Sequence, residues 1–257
     1  MTTLSDGSMN MSSPLDIISG VSRFIYLDET DSTNTYARQL IERDDMPRLP
    51  GIVVVRAGRQ ISGRGRQGRT FFSSVGGGLW VSIIIGVDSI DTHFSVNRAL
   101  SLAVSDTVAE KTGRAAFIKW PNDVICADKK ICGILLESAE NRGSPYLIAG
   151  FGLNVNIEAV RFPADIAPIA TSMRIESGKL FDIDTVLAAI IKNFIAYFHM
   201  SCTNAHRAYE LRLYRTGGRI FCDGREGIFD GVEPDGRMRM LTESGILHFV
   251  SGTMRFI

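Results

Sequence analysis

The sequence predicts an α+β fold in which helices cover one face of a mixed β-sheet, with a small all-β unit closing the chain, and three observations carry that prediction. The runs Gly51-Ile-Val-Val-Val-Arg-Ala57 and Gly78-Leu-Trp-Val-Ser-Ile-Ile-Ile85 are β-branched enough to be buried strands. Helical spacing is interspersed with strands in an order that favours a mixed sheet over a doubly wound parallel one. From Gly218 onward only short strand-like runs remain, punctuated by turns.

Taken in order, residues 1–22 are rich in Ser, Met and Asp and read as a disordered lead-in, with no room for a helix-turn-helix. The main domain is expected over 23–215 and the small barrel over 216–257. Arg23–Asp28 reads as a strand. Asp31-Ser-Thr-Asn34 supplies short polar caps for a helix carrying Tyr36, Ala37, Leu40 and Ile41 on one face. A long helix is expected from near Ser95, because Val96, Ala99, Leu100, Ala103, Val104 and Val108 fall at helical spacing before a Gly113 stop. Strands follow at Phe117–Trp120, Val124–Cys126 and Ile131–Ser138, with a tight turn at Ala127–Lys130, then strand-like runs around Pro145–Asn156. Residues 183–199 and 205–214 read as helices. The last strands are Arg219–Cys222, Gly227–Asp230, Arg237–Leu241 and Ile246–Val250.

Of the 257 residues, 28 are basic and 28 acidic, so no broad cationic surface is available to coat DNA or an anionic membrane. No run approaches the about 18 apolar residues of a spanning helix, and no secretory signal opens the chain; a cytoplasmic protein is expected. Cys126, Cys132, Cys202 and Cys222 form no C-x-x-C pair and read as reduced thiols. His93, His199, His206 and His248 show no ligand spacing, so a zinc site is not expected and no metal ligand can be named.

Local charge is more informative. Gly58–Thr70 holds four arginines and four glycines in thirteen positions. Glycines let backbone N–H groups approach an anion, and arginines add paired donors suited to phosphate or carboxylate. The stretch reads equally as a solvated loop or as an Arg/Gly segment that meets nucleic acid. Lys119-Trp-Pro-Asn-Asp123 ends an apolar strand, and its proline stiffens the corner that aims Lys119. The plainer reading is a solvated lysine beside an Asn-Asp turn, with Asp123 a turn residue ahead of a base or metal ligand. Helix capping alone accounts for Asp31–Asn34. Gly150-Phe-Gly-Leu-Asn-Val-Asn156 places glycines inside a strand, where something approaches the backbone closely or a bulge forms.

In this order the clusters resemble the catalytic and C-terminal parts of biotin protein ligases, from about Arg23 to the end. The motifs are Asp31-Ser-Thr-Asn34, Gly63-Arg-Gly-Arg-Gln-Gly-Arg69, Lys119-Trp-Pro-Asn-Asp123, Lys130 with Gly133-Ile-Leu-Leu-Glu137, and Gly150-x-Gly-Leu-Asn-Val-Asn156. The resemblance implies a class II synthetase-like domain with an SH3-like barrel. It also implies a two-step ligase: biotin and ATP, with Mg2+, give biotinyl-5′-adenylate, which a lysine of a biotin carboxyl carrier domain then attacks. Arg64 and Lys119 match the catalytic cations. Ser32, Thr33, Asn34, Gln60, Gly63, Arg64, Gly65, Arg66, Lys119, Gly133 and Gly150 match positions around biotin. Arg64, Arg66, Arg69, Phe71, Lys119, Asn122, Lys130 and Asn154 match positions around the nucleotide. The Arg/Gly loop is expected to order over bound ligand and shield the anhydride from water.

Three departures from the family pattern stand out. Gln67 replaces a frequent Arg, Phe71 stands for a common Trp and has no indole N–H, and Ser251-Gly-Thr-Met-Arg255 stands where Gly-Glu is usual. Family members that repress transcription carry an extra DNA-binding domain, so the short N-terminus predicts a ligase without repressor activity. The family contains monomers and dimers, which leaves a homodimer open. Two rival readings are a lipoate or octanoate ligase or transferase of the same architecture, and a nucleic-acid-binding module built on the Arg/Gly loop.

Overall fold

The computed structural model describes residues 18–44, 51–68, 71–73 and 76–257. Seven strands, β1 (Val21–Thr30), β2 (Ile52–Gln60), β3 (Gly78–Gly86), β4 (Ala116–Lys119), β5 (Asp123–Cys126), β6 (Lys129–Asn141) and β7 (Ser144–Asn154), form one sheet in the order β1-β2-β3-β7-β6-β5-β4. Only β1 and β2 pair in parallel, and the crossover this requires is α1 (Thr33–Glu42). All other neighbours are antiparallel, so the sheet is mixed, as expected.

Two-residue turns set the antiparallel register. Ala127-Asp128 joins β5 to β6 and Arg142-Gly143 joins β6 to β7, both residues of each pair having positive φ (49° and 60°, 51° and 79°). Such turns match the right-handed twist of the strands they join. The turn at Ala127 is therefore tighter than expected, and Lys129 and Lys130 already belong to β6.

α2 (His93–Thr112) and α4 (Ile183–Phe198) pack on one sheet face, where Val54, Ile83, Leu100, Val104, Leu187 and Ile191 are fully buried. α1 lies on the opposite face and sets Ala37, Leu40 and Ile41 against Val53, Val55, Ile84 and Ile148. Helices thus cover both faces rather than one, and β3 is buried continuously from Gly78 to Ile85. That double coverage explains why its sequence is an apolar run instead of an alternation.

The chain closes with β8 (Arg219–Cys222), β9 (Arg225–Val232), β10 (Met238–Thr242), β11 (Gly245–Phe249) and β12 (Arg255–Phe256), an antiparallel sheet ordered β11-β10-β9-β8-β12. Its Ile220, Phe229, Met238 and Met240 bury against Leu102 of α2, Ile118, Trp120 and Tyr209. The Trp120 indole Nε1–H also donates to Gly236 O at 3.0 Å.

Several boundaries differ from the sequence reading. β1 begins at Val21, two residues before Arg23, while residues 1–17 of the expected lead-in lie outside the described residues. Pro145–Asn156 contributes one strand, β7. α3 (Met173–Ser177), capped by the Ser172 hydroxyl and by Gly178 at φ 72°, is too short to have shown periodicity. The last helix, α5, spans Cys202–Glu210 instead of 205–214, because Ser201 accepts from Asn204 N and sets an earlier start. Residues 211–214 leave the helix to line the open edge of β4: Ile118 N donates to Arg212 O at 2.7 Å and Tyr214 N to Ile118 O at 2.9 Å.

Candidate active site

A cleft of about 700 Å³ opens over the sheet face that carries α1, beside the start of that helix. Its floor is made by glycines of two strands, Gly150 and Gly152 of β7 and Gly133 of β6; Gly152 pairs with Gly133, and Gly150 pairs with Ser82 of β3, which is fully buried and does not line the cleft. The glycines are there because side chains come down onto them. A Cβ on Gly150 would lie 2.2 Å from Asn34 Oδ1, and one on Gly152 would lie 2.3 Å from the Phe71 ring. Close approach, rather than a bulge, is thus why glycine recurs inside β7.

Polar groups line the inner end. Ser32 occupies the N-cap position of α1 in extended conformation but makes no capping bond with its side chain. Capping therefore does not account for Asp31–Asn34. Thr33 N donates to Gln60 Oε1 at 2.8 Å, and the Ser82 hydroxyl lies 2.8 Å from Thr33 Oγ1 while donating to Asn34 Oδ1 at 2.6 Å. Asn34 Nδ2 donates in turn to Glu137 Oε2 at 2.8 Å. Ser32, Thr33, Asn34 and Ser82 are each at most 3% exposed, so this network sits away from bulk water.

Cations gather at the other end. Lys119 closes β4 just before the cis Trp120–Pro121 bond. Burial lowers the pKa of its ammonium, Lys130 and Arg215 add to the fall, and Asp123 opposes it. Lys130 Nζ pairs with Asp123 Oδ1 at 2.7 Å and stands 5.7 Å over the Phe71 ring. Asp123 is thus the first residue of β5 and an ion-pair partner, not the turn residue expected; Trp120-Pro121-Asn122 make the corner. Arg66 Nη1 donates to Asn122 Oδ1 at 3.4 Å, and Asn122 Nδ2 to Ile134 O at 2.6 Å. Arg64 is exposed on the cleft wall.

The cleft brings together Ser32, Thr33, Asn34, Gln60, Arg64, Gly65, Arg66, Phe71, Lys119, Asn122, Lys130, Gly133, Gly150 and Asn154 from the sequence reading. Gly63 does not line it; the Gly63 carbonyl accepts from Phe71 N at 2.8 Å and fixes that ring from behind. Arg69 and the Gln67 side chain lie outside the described residues. Sequence reasoning missed Ser82 and the wall around Phe162 and Ile166; Gly152, Glu137 and Gly252–Arg255, the last reaching over from the second sheet, stood in the motifs it quoted without being named as site residues. Ser82 left a signal, being the one hydroxyl in the apolar run of β3. Distance in sequence hid the rest.

A family model described as the biotin/lipoate A/B protein ligase family matches residues 26–154. The chain is 30% identical over 232 residues to the bifunctional ligase/repressor BirA of Bacillus subtilis (strain 168), which spans 86% of this chain and 70% of that protein. It is 28% identical over 232 residues to the biotin–[acetyl-CoA-carboxylase] ligase of Paracoccus denitrificans, covering 85% of this chain and 94% of that one. Among solved structures it resembles the biotin protein ligase from Aquifex aeolicus in complex with biotin and ATP, with a TM-score of 0.78, 29% identity and coverage of 92% and 100% of the two chains.

Gly150→Ala is expected to push Asn34 off the sheet and cost about 1–3 kcal/mol, read as a shift in the urea midpoint; parent-like stability would mean Asn34 has room to spare. Lys119 yields a second expectation. A folded pKa below the ordinary value means that protonation costs stability at every pH under it, and that this cost fades as pH rises through it towards about 10.4. Lys119→Met should therefore gain on the parent at about pH 7, with the gap narrowing by about pH 10.5. Urea midpoints at both pH values test this, and a constant gap would contradict it.

Proposed function

The chain belongs to the biotin/lipoate A/B protein ligase family, and on that premise we propose that it activates biotin to biotinyl-5′-adenylate and transfers biotin to a lysine of a biotin carboxyl carrier domain. One observation carries the reading: Arg64 and Lys119, distant in sequence and on different elements, line the same cleft as Thr33 and Asn34 of the buried Thr33–Ser82–Asn34 network. A cleft with fixed cations at one end and buried donors and acceptors at the other suits a molecule with an acid tail and a polar ring.

In the first step a carboxylate oxygen of biotin attacks the α-phosphorus, an acyl–phosphate bond forms, and pyrophosphate leaves. Two anions must meet, so the barrier is largely electrostatic, and preorganised positive groups lower it. Arg64 neutralises the carboxylate and the adjacent phosphate, while Gly65 and Arg66 close over the product. Lys119 touches the forming anhydride, and its partial burial strengthens the contact by excluding water. Lys130, oriented by Asp123, Asn122 and Asn154 serve the nucleotide side, with Phe71 offering an apolar ring face. Ser32, Thr33, Asn34 and Gln60 meet the ureido ring. Magnesium arrives with ATP as part of the substrate. Asp123 and Asp165 are the cleft carboxylates among the described residues. In the second step the carrier amine attacks the anhydride carbonyl, an amide forms, AMP leaves and the nitrogen loses its proton. We place this chemistry in the cytoplasm.

Incubation with biotin, Mg-ATP and a carrier domain, read by intact mass, is expected to show one biotinyl group added; pyrophosphate exchange supported by lipoate or octanoate but not biotin would replace this reading. Arg64→Ala is expected to release the adenylate into solution, measured as loss of retained intermediate on rapid gel filtration. Lys119→Ala should abolish transfer with the far-UV spectrum unchanged, and near-normal turnover would remove Lys119 from the mechanism.

A further inference from the structure

Away from the cleft, α2 carries a buried cation with no acid beside it. Arg98 is 3% exposed, and its Nε and Nη1 have no hydrogen-bond partner. No carboxylate pairs with it among the described residues. Its guanidinium rests over the Phe94 ring at 5.5 Å, and Nη2 is directed at Cys202 Sγ, 3.5 Å away. A buried charge without a counter-charge is expensive, and the sulfur is the group this one faces.

Cys202 is exposed, opens the first turn of α5 and lines a crevice of about 540 Å³ between that helix and the second sheet. The backbone N–H groups of a helix start add positive potential to that of Arg98. Arg98 lies behind the thiol and does not line the crevice; the titratable and charged groups that do are His206, Arg207 and Glu210 of α5, Asp230 of β9 and Arg239 of β10. Three carboxylates converge on Arg239, namely Asp230 at 3.0 Å, Glu210 at 3.2 Å and Glu233 at 3.7 Å. All three pair with Arg239 and none with Arg98, whose Nη2 faces the thiol. The remaining cysteines are unlike it: Cys126, Cys132 and Cys222 are buried, and burial pushes Cys126 and Cys222 up to about 11 and raises Cys132 as well.

We propose that Cys202 is a nucleophilic thiol and a site of reversible sulfur modification, with Arg98 as the residue that makes it so. Toward hydrogen peroxide, the sulfur attacks one oxygen, an S–O bond forms as the O–O bond breaks, and the departing hydroxide takes up the thiol proton as water. Sulfur is oxidised by two electrons and peroxide is reduced by two. A small thiol then displaces water from the sulfenic acid to give a mixed disulfide, whose adduct lies in the crevice.

The test treats the intact protein with iodoacetamide at pH 7, maps labelled peptides by mass spectrometry, and runs glutathione as the free-thiol reference. Cys202 is expected to react about tenfold faster than glutathione while the three buried cysteines stay unlabelled. Dimedone should trap one sulfenic acid, at Cys202, after peroxide. Arg98→Met should slow Cys202 by about tenfold and Arg98→Lys much less, a difference that loss of packing alone would not produce. Reaction no faster than glutathione overturns the proposal, and this comparison needs no variant to fold. An unchanged rate in a folded Arg98→Met protein overturns it equally.

Discussion

The first turn of α1 is held to the sheet by hydrogen bonds whose central members, Thr33, Asn34 and Ser82, are buried away from water. Gln60, Thr33, Ser82, Asn34 and Glu137 come from β2, α1, β3 and β6, so one network fixes the helix start against three strands. A buried polar group left unmatched costs about 1–3 kcal/mol, so each member is constrained by the next. The glycine floor follows from this arrangement, since Asn34 and Phe71 occupy space that side chains on Gly150 and Gly152 would need. The position of the cleft follows too, because the same network forms its inner wall.

At the outer end the problem is reversed: positive groups are crowded into a partly dry space. Overall the chain balances 28 basic against 28 acidic residues, yet Arg64, Arg66, Lys119 and Lys130 share one cleft. Asp123 relieves part of the crowding by pairing with Lys130. Lys119 keeps the penalty, seen in its lowered pKa, and a site that disfavours its own ammonium is one prepared for an anion.

Much of this was legible in the amino-acid order. β2, β3 and α2 were readable because continuous burial leaves apolar runs and a helical stripe, and the Gly113 stop at φ 70° is visible as a letter. The end of α5 was not, because residues 211–214 obey the edge of β4, a partner almost one hundred positions away in sequence. Within the cleft, Arg64, Lys119 and Gly150 belong to motifs with unusual composition. Ser82 and Glu137 act by holding Asn34, and although the hydroxyl of Ser82 stands out in an apolar run, nothing near it in sequence names its partner. Asp123 was misread for a related reason: a short polar residue after proline suggests a turn until its pairing with Lys130 is seen.

The indole of Trp120 is one of the ties, with Leu102, Ile118 and Tyr209, between the main sheet and the terminal one. It follows Lys119 directly, donates to Gly236 O, and packs with the second sheet, which also extends Gly252–Arg255 to the cleft. The terminal sheet is therefore not a detachable module. A chimera that exchanged it for a foreign sheet would have to reproduce a carbonyl at Gly236 and an apolar seat for the indole, or the graft would misplace the neighbouring ammonium.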